Sequence, residues 1–306
     1  MTSGPRRTGT GDAARLHGFA DSAGFARRLA RAAGIACASV SVHPFPDGES
    51  LVRICPPAGR RAVLVRSLHN PNTKLVETLL AADALRRAGA RHVTLVAPYL
   101  AYMRQDAVFT PGEAVSQRVI GRVLGRAFDA VLTVEAHLHR IARLDQVIAG
   151  EARSLTAAPV LAQWVRRTGR DCVVVGPDVE SAPWVRAIAR AADVPWVVGC
   201  KQRLRDRVVR IELPAVPAVR RAVIVDDIAS TGATVAVTAR ALRHAGIAVV
   251  DVAVVHAVFA PGALGRIRAA GVRRVVSCDT IPHPTNAIAV APLVHGALRR
   301  VWRARG

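Results

Sequence analysis

The chain has 306 residues, 51 % of them hydrophobic and 21 % charged. That is ample for one large core or two medium ones and excludes an intrinsically disordered protein. No apolar run approaches the roughly 18 residues of a membrane-crossing helix, and Met1 to Gly11 reads as a flexible tail, without the apolar stretch of a secretory signal. A soluble cytoplasmic protein is the expectation. The five cysteines (37, 55, 172, 200 and 278) are odd in number and widely spaced, against both a disulfide framework and a zinc site. The formal net charge is +21, from 43 Lys+Arg against 22 Asp+Glu. Only Lys74 and Lys201 are lysines, so the excess is arginine, the mark of a GC-rich coding bias. The arginines are scattered, as in Arg86-Arg87, Arg166-Arg167 and Arg299-Arg300, which argues against a nucleic-acid-binding arm and leaves small phosphorylated substrates open.

In chain order, Val/Ile/Leu-rich runs alternate with Ala/Arg-rich stretches. Strands are predicted at 62–65, 92–97, 130–134, 172–175, 222–225, 249–255 and 275–277, and helices at 73–88, 116–127, 160–168, 184–192, 234–245 and 263–270. Continuous β-branched runs are the pattern of parallel strands covered on both faces, and the alternation indicates an α/β fold. A repeat lies within it. Arg61-Ala62-Val63-Leu64-Val65 returns as Arg221-Ala222-Val223-Ile224-Val225, and Ala84-Leu85-Arg86-Arg87-Ala88-Gly89 as Ala241-Leu242-Arg243-His244-Ala245-Gly246. The offsets are 160 and 157 residues, which predicts a strand–loop–helix unit duplicated with three residues lost from the second loop. Two similar domains follow, 1–155 and 156–306.

The differing loop carries the chemistry. After the second strand come Asp226-Asp227-Ile228-Ala229-Ser230-Thr231-Gly232-Ala233-Thr234, then a helix. A helix N-terminus offers unpaired N–H groups and the positive end of its dipole to a phosphate. Ser230, Thr231 and Thr234 add hydroxyls, and Gly232 lets the backbone approach closely. The adjacent acids suit sugar hydroxyls, with metal assistance possible in principle. A sugar phosphate is the ligand this chemistry describes; an N-capped helix with no ligand is the plainer alternative. The first copy has Arg66-Ser67-Leu68-His69-Asn70-Pro71-Asn72-Thr73 there and is not expected to bind the same molecule.

The stretch Val225–Thr234 resembles the phosphoribosyl diphosphate-binding motif shared by phosphoribosyltransferases and ribose-phosphate diphosphokinases. Further segments resemble the diphosphokinases alone: Phe45-Pro46-Asp47-Gly48-Glu49, Pro98-Tyr99-Leu100-Ala101-Tyr102-Met103-Arg104-Gln105-Asp106, Thr133-Val134-Glu135-Ala136-His137, Pro177-Asp178 and Lys201-Gln202-Arg203. Phe109–Glu113, Lys201–Leu204 and Ser230 are similar to the archaeal-type branch. The resemblance implies two duplicated phosphoribosyltransferase-like α/β domains, each a mainly parallel sheet flanked by helices. It also implies transfer of the diphosphoryl group of ATP to ribose 5-phosphate with Mg²⁺, giving phosphoribosyl diphosphate and AMP for nucleotide biosynthesis. On that reading Phe45, Asp47, Glu49, Arg104, Gln105, Asp106 and His137 contact ATP. His137 and Asp178 position the metal. Asp226, Asp227 and the stretch Ser230, Thr231, Gly232, Ala233 and Thr234 hold ribose 5-phosphate, and Lys201 and Arg203 stabilise the transferring group. In the family the Phe45 loop enters a neighbouring subunit, which implies at least a dimer. Glu180-Ser181 stand where the family has a Gly pair, Ala107 replaces a frequent base and Ala233 a frequent Gly. The alternatives are a catalytically weak homologue with a regulatory binding role, or a phosphoribosyltransferase.

Overall fold

Alternating strands and helices build two units, residues up to Leu155 together with those from Ala291 onward, and Thr156–Val290. The computed structural model describes residues 14–138, 140–205 and 208–303, and of residues 201–210 the backbone alone. The expected N-terminal tail lies outside the described residues. In chain order the first unit contains β1 (Ala14–Phe19), α1 (Ala23–Ala33), β2 (Ala36–Pro44), β3 (Ser50–Ile54), β4 (Arg61–Val65), α2 (Pro71–Arg87), β5 (His92–Ala97), α3 (Ser116–Ala127), β6 (Ala130–Val134) and β7 (Glu151–Leu155). Its sheet order is β3-β2-β1-β4-β5-β6-β7, parallel except for the β2–β3 hairpin. In β4 and β6 the residues Ala62–Val65 and Ala130–Val134 are all buried, because helices cover both faces. β2 and β3, at the edge, alternate in exposure as half-covered strands do. Phe19, Leu64, Leu68, Leu85, Leu95 and Leu124 anchor the core.

The second unit contains α4 (Ala158–Arg167), β8 (Cys172–Gly176), α5 (Ala182–Ala192), β9 (Trp196–Val198), β10 (Cys200–Arg205), β11 (Val208–Glu212), β12 (Arg221–Ala229), α6 (Ala233–His244), β13 (Val249–Ala257), α7 (Ala263–Ala269), β14 (Val272–Cys278) and β15 (Asn286–Ile288). A parallel sheet runs β15-β14-β13-β12-β8-β9, and β10–β11 is a separate antiparallel hairpin. Asp251, fully buried on β13, is held by Arg273, whose Nε and Nη2 donate to its two oxygens at 3.0 and 2.6 Å.

The last helix, α8 (Ala291–Arg303), packs against α1, β6 and β7 through buried Ala291, Val294, Ala297, Leu298 and Val301. The expected second domain, 156–306, therefore ends at Val290, and the terminal helix completes the first unit's core. The repeat also needs correcting. The three-residue difference does not come from the loop, because α2 has 17 residues and α6 only 12. The segment after the matched strand is longer in the second copy (226–232) than in the first (66–70). Lengthening that segment is what makes room for a ligand loop. Among the described residues no helix is long and apolar enough to cross a membrane.

Two glycines four residues apart let α3 lie directly on a backbone segment. A Cβ on Gly121 would sit 2.3 Å from the Val147 carbonyl oxygen, and one on Gly125 2.7 Å from the Ala149 nitrogen. Gly121→Ala is expected to destabilise the chain by about 1–3 kcal/mol through overpacking, read as a lower midpoint in denaturant; an unchanged midpoint would show that the segment is free to shift.

Candidate active site

Parallel strands bring their following loops to one edge of the sheet, where ligands of open α/β sheets bind. In the first unit that edge collects the loops after β2, β4, β5 and β6. The β2–β3 turn is built by Phe45 N–H donating to the Glu49 carbonyl (2.8 Å), Gly48 N–H to the Phe45 carbonyl (3.0 Å) and Glu49 N–H to the Asp47 carboxylate (3.1 Å). Gly48 at φ +93° makes the turn possible. Phe45 stands 39 % exposed at its tip with His43 edge-on at 5.2 Å, so it is not a core residue. An exposed aromatic ring on a stiff turn is a stacking platform for a heteroaromatic base.

The loop after β4, counterpart of the sugar-phosphate loop, is filled by the protein itself. Arg66 pairs with Glu77 (2.5 Å) and Asp21 (3.3 Å), and Lys74 with Asp21 (3.0 Å). Lys74 Nζ also donates to the Ser67 carbonyl at 3.4 Å and lies 3.1 Å from His69 Nε2. Burial alone would raise the Asp21 carboxyl, but Lys74 and Arg66 hold it below the usual carboxylate range. Burial and then Lys74 push the His69 imidazole down. The expectation that this copy lacks the second copy's ligand thus has a physical basis, since ion pairs occupy the space.

After β5, Arg104 is exposed and Gln105 donates to Glu113 (3.0 Å) and to the Ala107 carbonyl (3.2 Å). Glu113 closes this turn by accepting the Phe109 and Thr110 N–H groups. Asp106 differs from Arg104, because its carboxylate is buried and pairs with Arg140 at 3.4 Å. It ties the 104–106 segment to the loop that carries half-buried His137. The backbone is strained at these loops. Asn70 (φ +51°), Tyr102 (φ +65°) and Glu135 (φ +41°) each follow a different strand of the sheet and occupy the region that non-glycine residues avoid.

In the second unit the matching edge gathers the loops after β8, β12, β13 and β14. Asp226 and Asp227 lie on the C-terminal stretch of β12, and Gly232, at φ +72°, caps α6. Ala233 N–H points to the Thr231 hydroxyl at 3.4 Å, and the first-turn N–H groups of α6 have no helical carbonyl to meet. Burial, then the carboxylates of Asp227 and Asp178, push the Asp226 carboxyl well above the usual range. Asp178 therefore belongs to the same charge cluster. It caps the turn after β8 by accepting Ser181 N–H (3.2 Å), while the Ser181 hydroxyl donates to the Asp178 carbonyl (2.5 Å). Ser181, standing where a glycine was expected, thus fixes Asp178, and Gly176 makes room for it, since a Cβ there would lie 2.2 Å from Ser181 Oγ. Glu180 is exposed on that turn.

Lys201 and Arg203 lie on β10, in register with Ile211 and Val209 of β11; their side chains are outside the described residues. Among the described residues no three His, Cys, Asp or Glu side chains form a ready-made metal cage. His137 lies in the first unit and Asp178 in the second.

Sequence reasoning missed three supports of these loops. Arg140 holds Asp106; its signal in sequence is only a cation three residues after His137. Arg266 of α7 donates to the Thr231 carbonyl. His283 sets its imidazole, tilted, against the Phe259 ring at 5.2 Å, and Ala260, next in sequence to Phe259, donates its N–H to the Ser230 carbonyl at 3.1 Å.

Comparison with known proteins fits this geometry. The family described as the N-terminal domain of ribose phosphate pyrophosphokinase matches residues 15–127, and the phosphoribosyl transferase domain family matches 151–292. A ribose-phosphate pyrophosphokinase of Methanopyrus kandleri is 35 % identical over 279 residues, 90 % of this chain and 95 % of that protein. Ribose-phosphate pyrophosphokinase 2 of Archaeoglobus fulgidus is 36 % identical over 270 residues, 88 % of this chain and 94 % of that protein. The crystal structure of phosphoribosylpyrophosphate synthetase from Mycobacterium smegmatis superposes with a TM-score of 0.83 at 25 % identity, covering 96 % of this chain and all of that one. With matches of this identity over nearly its whole length, the chain belongs to the ribose-phosphate pyrophosphokinase family.

Proposed function

We propose that this chain transfers the diphosphoryl group of ATP to the anomeric hydroxyl of ribose 5-phosphate, forming phosphoribosyl diphosphate and releasing AMP. The observation that carries the reading is the second unit's loop region, with two carboxylates on the C-terminal stretch of β12 and three hydroxyl residues at the start of α6. Asp226 and Asp227 accept from the ribose hydroxyls, and the N–H and hydroxyl groups from Ser230 to Thr234 receive the 5-phosphate. In the first unit, Phe45 stacks on adenine while Asp47 and Glu49 accept from its amino group, and Arg104 and Gln105 meet the phosphates. Asp106 acts by holding the His137 loop through Arg140.

Magnesium fits this donor set. The Asp227 and Asp178 carboxylates stand close enough to Asp226 to raise its proton affinity, an excess of negative charge that a divalent cation would relieve. Mg²⁺ takes few protein ligands and completes its shell with water and substrate phosphate. In the second unit Asp178 is the residue that would hold it, and in the first unit His137 is the residue that would serve as a ligand; when bound, the ion would neutralise phosphate charge. Lys201 and Arg203 neutralise charge on the transferring group. The exposed Phe45 turn supports self-association in which that ring enters a neighbour's site.

The test is release of AMP from ATP that depends on ribose 5-phosphate and Mg²⁺. No release from folded protein that still binds either substrate would favour the weak regulatory homologue, and Glu180→Gly would then be the reversion to try. Diphosphate release, with nucleotide formed, that requires a nucleobase and phosphoribosyl diphosphate instead would mark a phosphoribosyltransferase.

A further inference from the structure

The loop assigned to ribose 5-phosphate contains two aspartates and no base between Asp226 and Thr234. Its shape must therefore be set from outside, since a few hydroxyls and N–H groups hold a dianion only if they are aimed in advance. Three successive loop residues are braced by one neighbouring segment, 260–267. Ser230 accepts the Ala260 N–H at 3.1 Å. Thr231 accepts from the Arg266 guanidinium. Gly232 lies so close to α7 that a Cβ there would meet Ile267 Cγ1 at 2.9 Å and the Ala263 carbonyl oxygen at 3.1 Å.

We propose that Arg266 is a positioning residue of the ribose 5-phosphate site, holding the Thr231 carbonyl so that the following N–H groups converge on the phosphate. A cation in the last turn of α7 would ordinarily do no more than complement that helix's dipole. Here the guanidinium instead reaches a carbonyl 35 residues earlier in the chain. The contact is made by an exposed side chain, so it contributes little to the core and its loss leaves the fold standing. It pins the residue between Ser230, tied by a backbone hydrogen bond, and Gly232, packed close against α7.

This rests on the assignment of the loop given above. Arg266→Ala and Arg266→Lys are compared with the unmodified chain in the AMP-release assay, after matching thermal melts. The expected result for Arg266→Ala is a KM for ribose 5-phosphate raised about tenfold, the effect of one charge-assisted hydrogen bond, with the KM for ATP and kcat within about twofold. Arg266→Lys is expected to recover part of the loss. A KM for ribose 5-phosphate that does not move, or that rises together with the KM for ATP, would overturn the proposal. If the unmodified chain releases no AMP, the assigned function has failed, and Arg266 is judged by titrating inorganic phosphate into both proteins. Weaker binding by Arg266→Ala then supports its role; equal binding, or none by either, overturns it.

Discussion

Lys201→Ala is expected to lower kcat for AMP release by about 10²–10³-fold, the effect of removing one preorganised donor from a developing charge, or about 3–4 kcal/mol. Phosphoryl-type transfers leave the protein little covalent work, so positioning and charge stabilisation carry the rate. Composition sets this residue apart. Of 43 cationic residues only two are lysines, and the structure accounts for the other. Lys74 is seated between the Asp21 carboxylate, the Ser67 carbonyl and His69, a small enclosed space that suits a compact ammonium and not a planar guanidinium. Its retention is therefore not incidental. By the same logic, keeping Lys at 201 on β10 points to a demand for a point charge. Lys201→Arg is expected to recover only a small part of the activity, because the charge returns without its shape. Both KM values should stay within about threefold, since a group acting mainly in the transition state changes kcat and kcat/KM together. Retention of more than a tenth of the kcat by Lys201→Ala would remove Lys201 from the chemistry.

The interior of each sheet was legible in the sequence, and its margins were not. β5, β6 and α3 stand where they were predicted, because buried β-branched runs and helical periodicity both report burial directly. β2 reads Ala-Cys-Ala-Ser-Val-Ser-Val-His-Pro, a half-exposed strand with small polar residues on its open face, and gives no such signal. The placement of α8 could not be read at all. Its apolar stripe says that it packs, but chain order puts it with the second domain, and only tertiary contact assigns it to the first. The site divides in the same way. The loop from Asp226 to Thr234 is contiguous, so its chemistry was visible as a string. Asp106 stands in the same string as Arg104 and Gln105, whereas its partner Arg140 belongs to another loop. Arg266 reaches Thr231 across 35 residues, and Ser181 looked like a departure until its bonds to Asp178 were seen. Side chains that act on a ligand cluster in motifs; those that hold the motifs in place are scattered.

Asp226→Asn is expected to make the chain more stable and less active at once. Burial and the neighbouring carboxylates of Asp227 and Asp178 raise the Asp226 carboxyl in the folded state above its unfolded value. The folded state therefore binds this proton more tightly than the unfolded chain does. Below the unfolded value of about 4 both states are neutral and the group has no effect; above it the unfolded chain ionises first, and stability falls as pH rises through the folded value. An amide of the same size carries no charge to penalise. In substrate-free protein with chelator present, the variant's Tm should exceed the parent's at pH 7–8, by about 2–4 °C for each kcal/mol relieved. The gain should shrink toward zero near pH 4. Activity should move the other way. Replacing a carboxylate that accepts from a ribose hydroxyl removes a charge-assisted hydrogen bond of about 1.5–3 kcal/mol, so kcat/KM for ribose 5-phosphate should fall roughly 10- to 100-fold. A Tm gain equal at pH 4 and pH 8 would show that packing and not charge is responsible. A lower Tm at neutral pH would show that the carboxylate is held by contacts worth more than its repulsion. The pattern expected, a stability gain that opens above the unfolded carboxyl's value together with a loss of turnover, is that of a group kept at an energetic disadvantage because the ligand needs it.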